Sequence, residues 1–307
     1  MNDNQKSYLS TLNDEKSSVV ASLKINNKIF KKLITFMICS ITYLVVTFIT
    51  KNNSSHDIQT KFVNSFVSTI MNVCFAVSVI ASIMYILILV SKRIRDILDN
   101  LKYKVKKIIF IFLDWVLIFP LCATIASLCF AFVFTFAEVN GTSMAPTVSN
   151  NSTIFLSYLE KIDRFDVVVA YITTEDSVVE NLSIYQQEQY PEYYIKRVIG
   201  VPGDTVTWVN GVLTINGEVV EENFFDQETI QNHIDTWTKD TGFFGNFAYK
   251  ENGMIKYSTV IPEGYYFVMG DNRSNSIDSR RIGLIPKKNI EGVVKFEISK
   301  SGFERVE

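Results

Sequence analysis

Histidine and cysteine are scarce. Only His56 and His233 occur in 307 residues, so a site built on several histidine ligands is excluded and a Ser-His-Asp triad has few candidates. The four cysteines, Cys39, Cys74, Cys122 and Cys129, show no Cys-x-x-Cys spacing, which removes the zinc-ribbon and dithiol-redox readings. Net charge is nearly absent. Thirty Lys and Arg against 32 Asp and Glu leave −2, which argues against a polyanion binder and against nucleic acid as a partner. Internal repeats, heptads and long low-complexity tracts are lacking as well. No metal or organic cofactor is indicated. What the chain has in excess is apolar surface: 48% of residues are hydrophobic and the mean hydropathy is +0.16. That excludes a disordered or collagen-like chain and suggests apolar spans. The length suggests two units.

The charge is unevenly placed. Residues 1–108 carry 15 Lys and Arg against 6 Asp and Glu, whereas residues 109–307 carry 15 against 26. Three apolar stretches stand out: Leu33 to Thr50, about Phe66 to Val90, and about Ile109 to Phe136. A hydrocarbon core of about 30 Å needs about 20 apolar helical residues. The second and third exceed that, and the first is marginal at 18 residues. The flanking cations set an orientation. Lys6, Lys16, Lys24, Lys28, Lys31 and Lys32 precede the first stretch. Only Lys51 and Lys61 follow it, and seven Lys and Arg from Lys92 to Lys107 precede the third. This rich, poor, rich pattern puts the N-terminus in the cytoplasm and everything after Phe136 outside. The first stretch begins too far in, and lacks a small-x-small site, for a cleavable signal peptide. Asp114 lies within the third stretch. It reads as an interfacial carboxylate beside Lys106 and Lys107, although an intramembrane acid is otherwise a functional candidate. Pro120 is placed to kink that helix.

Residues 137–307 differ in character. Their apolar runs are short and β-branched: Thr153–Leu156, Asp166–Ala170, Tyr194–Ile199, Thr205–Val209, Val212–Ile215, Tyr265–Met269 and Gly292–Ile298. Pro202-Gly203-Asp204, Asn210-Gly211, Asn216-Gly217 and Pro262-Glu263-Gly264 punctuate them, and Val206 to Val219 reads as a hairpin about Asn210-Gly211. The expectation is a mostly-β domain, of sandwich or partly open barrel type, following the N-terminal transmembrane helices. It contains no cysteine and folds without disulfides. A weakly patterned insertion covers about 221–260, with a Phe-rich piece at Phe243 to Phe247.

Three segments of this domain can carry chemistry. In Asn140-Gly141-Thr142-Ser143-Met144-Ala145-Pro146-Thr147, Gly141 and Pro146 suit a tight turn that presents Ser143 with free backbone N–H groups beside it. The bland alternative is a linker. In Tyr194 to Asp204, Lys196 and Val198 share one strand face and Ile195, Arg197 and Ile199 the other. A lysine among apolar strand residues is desolvated, which disfavours its charge and lets the amine act as a base. The alternative is an edge lysine in water. Gly270 to Gly283 is dense in small polar groups and in Asp/Arg pairs, as in a loop braced beside an active site, or simply a solvated loop. It lacks the EF-hand spacing. A serine nucleophile needs a base. His233 is the domain's only histidine and sits in the insertion, so a Ser/Lys pair is the better supply.

In this order, behind membrane spans, the three segments resemble bacterial signal peptidase I, the membrane-bound Ser/Lys protease family. Asp163-Arg164-Phe165-Asp166-Val167-Val168-Val169 resembles the family's remaining box, which usually has Gly where Phe165 stands. The resemblance covers most of 137–307. It implies Ser143 as nucleophile and Lys196 as general base, with the Ser143 N–H in the oxyanion hole. It implies that Ser276 orients Lys196, that Asp278 and Arg280 pair to hold the loop, that Asp271 and Arg273 brace it further, and that Met144 and Pro146 shape the turn. Some members carry a Ser at the position of Gly141 as a further oxyanion donor. Here backbone N–H groups or Thr142 would serve. The implied substrates are signal peptides of exported preproteins, cut after small residues at −1 and −3 in an extended strand. The implied setting is the outer face of the bacterial cytoplasmic membrane, in contact with lipid and near the secretion translocon. Trp208, Trp237 and the Phe-rich piece would dip into headgroups or pack in the core. The first span has no counterpart in members with one or two spans. The alternatives are a specialised pilin-maturation peptidase, an inactive membrane-anchored peptide-binding β module, and a transporter or sensor built on the spans.

Overall fold

The structure, a computed structural model, describes residues 3–52, 65–172, 178, 192–299 and 302–306. Lys61 and His56 lie outside them. The described residues divide into a helical unit up to Ala131 and a unit from Phe132 onward.

The helical unit holds α1 (Asp3–Asn52), α2 (Ser65–Val90), α3 (Lys92–Asn100) and α4 (Tyr103–Phe132). Three of its helices contain stretches long and apolar enough to cross a membrane: Lys16–Val46, Asn72–Val90 and Tyr103–Phe132. Such helices satisfy every backbone polar group within themselves. Large apolar side chains such as Phe112, Trp115 and Phe119 point away from the protein. The buried contacts centre on Ile29, Leu33, Ile88 and Leu98. Ser91 caps α3 by accepting the Ile94 N–H. Polar contacts tie α1 to its neighbours. Asn26 Nδ2 donates to Asp99 Oδ1 at 2.7 Å, and Lys106 Nζ donates to Ser22 Oγ at 2.7 Å and to the Asp99 carbonyl at 3.0 Å. Asp114 forms an ion pair with Lys32 on α1. The polar stretch before Leu33 is helical too, and α1 is one continuous helix.

The third apolar run does not stay helical to Phe136. α4 ends at Phe132, and Phe134–Glu138 forms strand β1. The remaining strands are β2 (Thr153–Ser157), β3 (Val167–Ile172), β4 (Glu192–Gly200), β5 (Val206–Val209), β6 (Val212–Ile215), β7 (Glu218–Val219), β8 (Phe247–Glu251), β9 (Met254–Ser258), β10 (Tyr265–Met269), β11 (Ile285–Pro286), β12 (Ile290–Ser299) and β13 (Gly302–Arg305). An eight-stranded antiparallel sheet runs β1-β2-β12-β3-β4-β10-β11, with β13 added on β12. A three-stranded sheet β5-β6-β7 and a hairpin β8-β9 complete the domain. The domain is mostly β, as expected, with α5 (Gln227–Asp235) and the short α6 (Ser279–Ile282) between its strands.

The local chemistry explains the turns. Asn210-Gly211, Asn216-Gly217 and Asn252-Gly253 all hold positive φ at both residues, as a two-residue hairpin turn requires. One core gathers Trp208, Leu213, Phe243, Phe247, Phe267 and Met269, another Met144, Val148, Ile154, Leu156, Val167 and Val294. Trp208 is thus a core residue and does not reach headgroups. Trp237 packs half-buried on the same core, and Phe244 is exposed while Phe243 and Phe247 are buried.

Candidate active site

The segment joining β1 to β2 is closed on itself by Val139 N–H to Ser152 O at 2.9 Å and Asn151 N–H to Val139 O at 2.8 Å. Gly141, at φ +125°, adopts backbone that side chains rarely tolerate, and its N–H donates to Asn150 Oδ1 at 2.8 Å. Met144 and Val148 plug the loop into the core. The Ala145-Pro146 peptide bond is cis. Ser143 stands between these anchors, and among the described residues nothing accepts its N–H.

Lys196 lies on β4, between β3 and β10, with Val168 directly across from it. It is not an edge lysine, and it is only 2% exposed. Its Nζ donates to Ser143 Oγ at 2.9 Å and to the Ile195 carbonyl at 2.8 Å, above the Tyr194 ring at 5.2 Å. A hydroxyl bonded to a buried amine is an arrangement that can pair a nucleophile with a base.

Loop 270–283 buries Asp271, Arg273 and Asp278, while Ser274, Asn275 and Arg281 stay exposed. Asp271 forms an ion pair with Arg197, both side chains fully buried, through contacts of 2.7 and 2.9 Å. Arg197 also donates to the Phe165 carbonyl at 2.8 Å and lies 4.0 Å over the Phe224 ring. Arg280 pairs with Asp278 at 2.8 Å, donates to the Arg273 carbonyl and reaches the Thr241 carbonyl. Burial alone would raise the Asp278 carboxyl. Arg280, the Gly270 N–H and Ser276 outweigh it and hold the group below the usual carboxylate range. The loop grips the Ser143 turn directly. Asn272 N–H donates to the Ser143 carbonyl at 3.0 Å, Asn272 Nδ2 to the Thr142 carbonyl at 3.2 Å, and Asn275 Nδ2 to Thr142 Oγ1 at 3.3 Å. Gly270 faces the Ser143 carbonyl with no room for a side chain.

Ser143, Lys196, Asp271, Arg273, Asp278 and Arg280 come together as the motifs implied. Ser276 is the exception. Its Oγ is buried without a partner in good hydrogen-bond geometry, turned toward Asp278 and not bonded to Lys196. The ionised Asp278 carboxylate competes for that hydroxyl. Residues the sequence did not single out are Asn272 and Asn275, inside a segment noticed for its polarity, and Glu222, which carried no signal. Glu222 forms a buried ion pair with Arg273, and His233 Nε2 lies 3.0 Å from the Asp271 carbonyl. Phe165, where the resembled box usually has glycine, sits at φ +72° with its ring 5.4 Å from Phe224.

The family described as signal peptidase, peptidase S26, matches residues 112–299. Signal peptidase I S of Bacillus subtilis is 34% identical over 189 residues, covering 60% of this chain and 87% of that protein. Signal peptidase I of Streptococcus pneumoniae serotype 4 is 31% identical over 203 residues, covering 60% and 91%. A crystal structure of a signal peptidase I from Enterococcus faecalis aligns at 29% identity over 44% of this chain and 97% of that one, with a TM-score of 0.28.

Proposed function

The chain belongs to the S26 signal peptidase family and is a hydrolase of peptide bonds, and on that premise we propose that it removes signal peptides from exported preproteins with a Ser143/Lys196 dyad. The observation that carries the dyad is the 2.9 Å contact between a buried lysine amine and the serine hydroxyl. Burial penalises the charged form of an amine, and the reaction needs Lys196 neutral. Lys196 takes the Ser143 proton as Oγ attacks the scissile carbonyl. The N–H of Ser143, which no described residue accepts, donates to the oxyanion. Lys196 then gives its proton to the leaving amine. The mature protein leaves with that amine as its new N-terminus, and water, activated by Lys196, then releases the signal peptide from the Ser143 acyl-enzyme.

The supporting cast divides by position. Gly141 and Met144 set the turn, and Thr142, whose hydroxyl accepts from Asn275, precedes the nucleophile in it. Asp271, Arg273, Asp278 and Arg280 fix the loop that grips Ser143. Ser276 keeps a supporting role, since a buried hydroxyl without a partner beside a reacting group is costly unless the reaction uses it. Substrates are cut after small residues at −1 and −3, in an extended strand that pairs with the enzyme's own strands.

The proposed setting is the cytoplasmic membrane of a bacterium. Residues 1–136 supply a cytoplasmic N-terminus and three spans, and 137–307 form the protease domain on the outer face, in contact with lipid and near the translocon. The cation-rich flanks of the first and third spans support this orientation. The test is cleavage of a labelled preprotein by the detergent-solubilised protein beside Ser143→Ala and Lys196→Ala. Cleavage at a small-x-small site by the wild type and loss in both variants is expected. An active Ser143→Ala would overturn the dyad.

A further inference from the structure

Three consecutive loop residues meet three different demands. Asn272 holds the carbonyl of Ser143 through its N–H at 3.0 Å. On one side of it, the Asp271 carbonyl lies 3.0 Å from His233 Nε2. A carbonyl only accepts, so His233 is the donor and carries its proton on Nε2. On the other side, Arg273 is held by Glu222, with Nη1 at 3.2 Å from Oε2 and Nη2 closer to Oε1, and Nε donates to the Gly270 carbonyl at 3.1 Å. Glu222 and His233 both come from the stretch between β7 and β8, the weakly patterned part of the sequence. The same stretch packs Phe225 against His233 at 5.0 Å and under the Arg273 guanidinium at 5.5 Å. It also supplies the Thr241 carbonyl to Arg280 at 2.8 Å. Arg273, His233 and Asp271 are all buried, so none of these contacts is a surface accident.

We propose that Glu222 and His233 are positioning residues for the nucleophile: they clamp Arg273 and the Asp271 carbonyl, on either side of Asn272, and so fix where Asn272 holds Ser143. This rests on the Ser143/Lys196 reading. The stretch is then part of the catalytic machinery and not a peripheral insertion. A small error in the placement of a reacting group costs up to about a hundredfold in rate. The clamp does not touch substrate, so its loss falls on kcat and leaves KM alone.

The experiment uses the full chain in detergent with a labelled preprotein. Variants are His233→Leu, which lacks the donor, His233→Gln, whose amide nitrogen replaces Nε2, Glu222→Gln and Glu222→Asp. We expect His233→Leu and Glu222→Gln to lower kcat about 10- to 100-fold with KM within about twofold. His233→Gln and Glu222→Asp should recover most of it. A merely structural role would lower the folded fraction and not the kcat of folded enzyme, and the Gln and Asp variants would then give no rescue beyond their gain in stability. Should His233→Leu not fold, the isosteric Glu222→Gln reads the clamp from its other end. Wild-type kcat in folded His233→Leu and Glu222→Gln, with Ser143→Ala inactive, overturns the clamp alone. An active Ser143→Ala overturns the dyad and the clamp with it.

Discussion

Gly270→Ala probes the site by a single methyl group. Gly270 needs no unusual backbone angle. It is glycine because two groups crowd its α-carbon. A Cβ built there would lie 2.5 Å from the Ser143 carbonyl oxygen and 2.6 Å from Ser276 Cβ, and closer still to Ser276 Oγ. A carbon–oxygen contact settles at about 3.3 Å, so the Ser143 carbonyl must retreat by about 0.8 Å. The retreat breaks the alignment of Asn272 with that carbonyl and draws Ser143 Oγ off Lys196 Nζ. Displacements of about 1 Å cost about a hundredfold, so kcat should fall about 10- to 100-fold with KM held. Overpacking of this kind also costs about 1–3 kcal/mol, which in a domain this size lowers Tm by about 2–12 °C. The assay is steady-state cleavage of a labelled preprotein beside a thermal melt of the same preparation. A wild-type kcat with a lowered Tm would mean that the position of the Ser143 carbonyl does not control the reaction. Wild-type values in both would mean that the contact is not made in the folded protein.

The other expectations concern charge. Asp271→Asn leaves the Arg197 guanidinium fully buried without its counter-charge. The expected cost is about 3–5 kcal/mol, a Tm drop of about 6–20 °C, and a drop under about 2 °C would count against a desolvated pair. Ser276→Ala should melt near the wild type, since the hydroxyl it removes makes only an ill-aligned contact with Asp278, yet turn over more slowly. An unchanged kcat would remove Ser276 from the site. Stability against pH should reveal two opposed titrations. Burial, with Arg273 and Arg280 nearby, pulls the His233 imidazole from 6.5 down to about 4 despite Asp271. The unfolded chain therefore binds a proton that the folded chain refuses, and stability falls as pH falls through that window. Burial pushes the Glu291 carboxyl from 4.5 up to about 7, so stability falls as pH rises between those values. Chemical denaturation of Glu291→Gln should show only the acid-side fall and His233→Gln only the alkaline-side fall. Identical profiles in wild type and both variants would refute both assignments.

Much of this was legible in the chain. The paired Asn-Gly turns at 210–211 and 216–217 announced β5 to β7, and the three polar or glycine-marked segments drew attention to Ser143, Lys196 and the 270–283 loop, which the fold brings together. β1 was hidden because Phe134–Glu138 continues the apolar run of α4, and periodicity does not separate a short buried strand from the end of a helix. The β8–β9 hairpin carried its own signal, Asn252-Gly253, diluted by polar neighbours. The clamp was invisible for another reason. Glu222 and His233 meet their partners 51 and 38 positions away, and no local pattern encodes a contact at that separation. Ser276 illustrates the reverse case, in which a motif position was legible but its hydrogen bond depends on competition among neighbours in space.

Phe165 carries a consequence for how such chains diversify. A bulky residue in left-handed backbone costs about 1–2 kcal/mol relative to glycine. What offsets it is the ring of Phe224, which packs on Phe165 and on the Arg197 guanidinium together. The two aromatics form one heritable unit. Removing the Phe224 ring should leave the backbone cost at Phe165 unopposed and favour glycine there, so positions 165 and 224 are expected to change together across related chains.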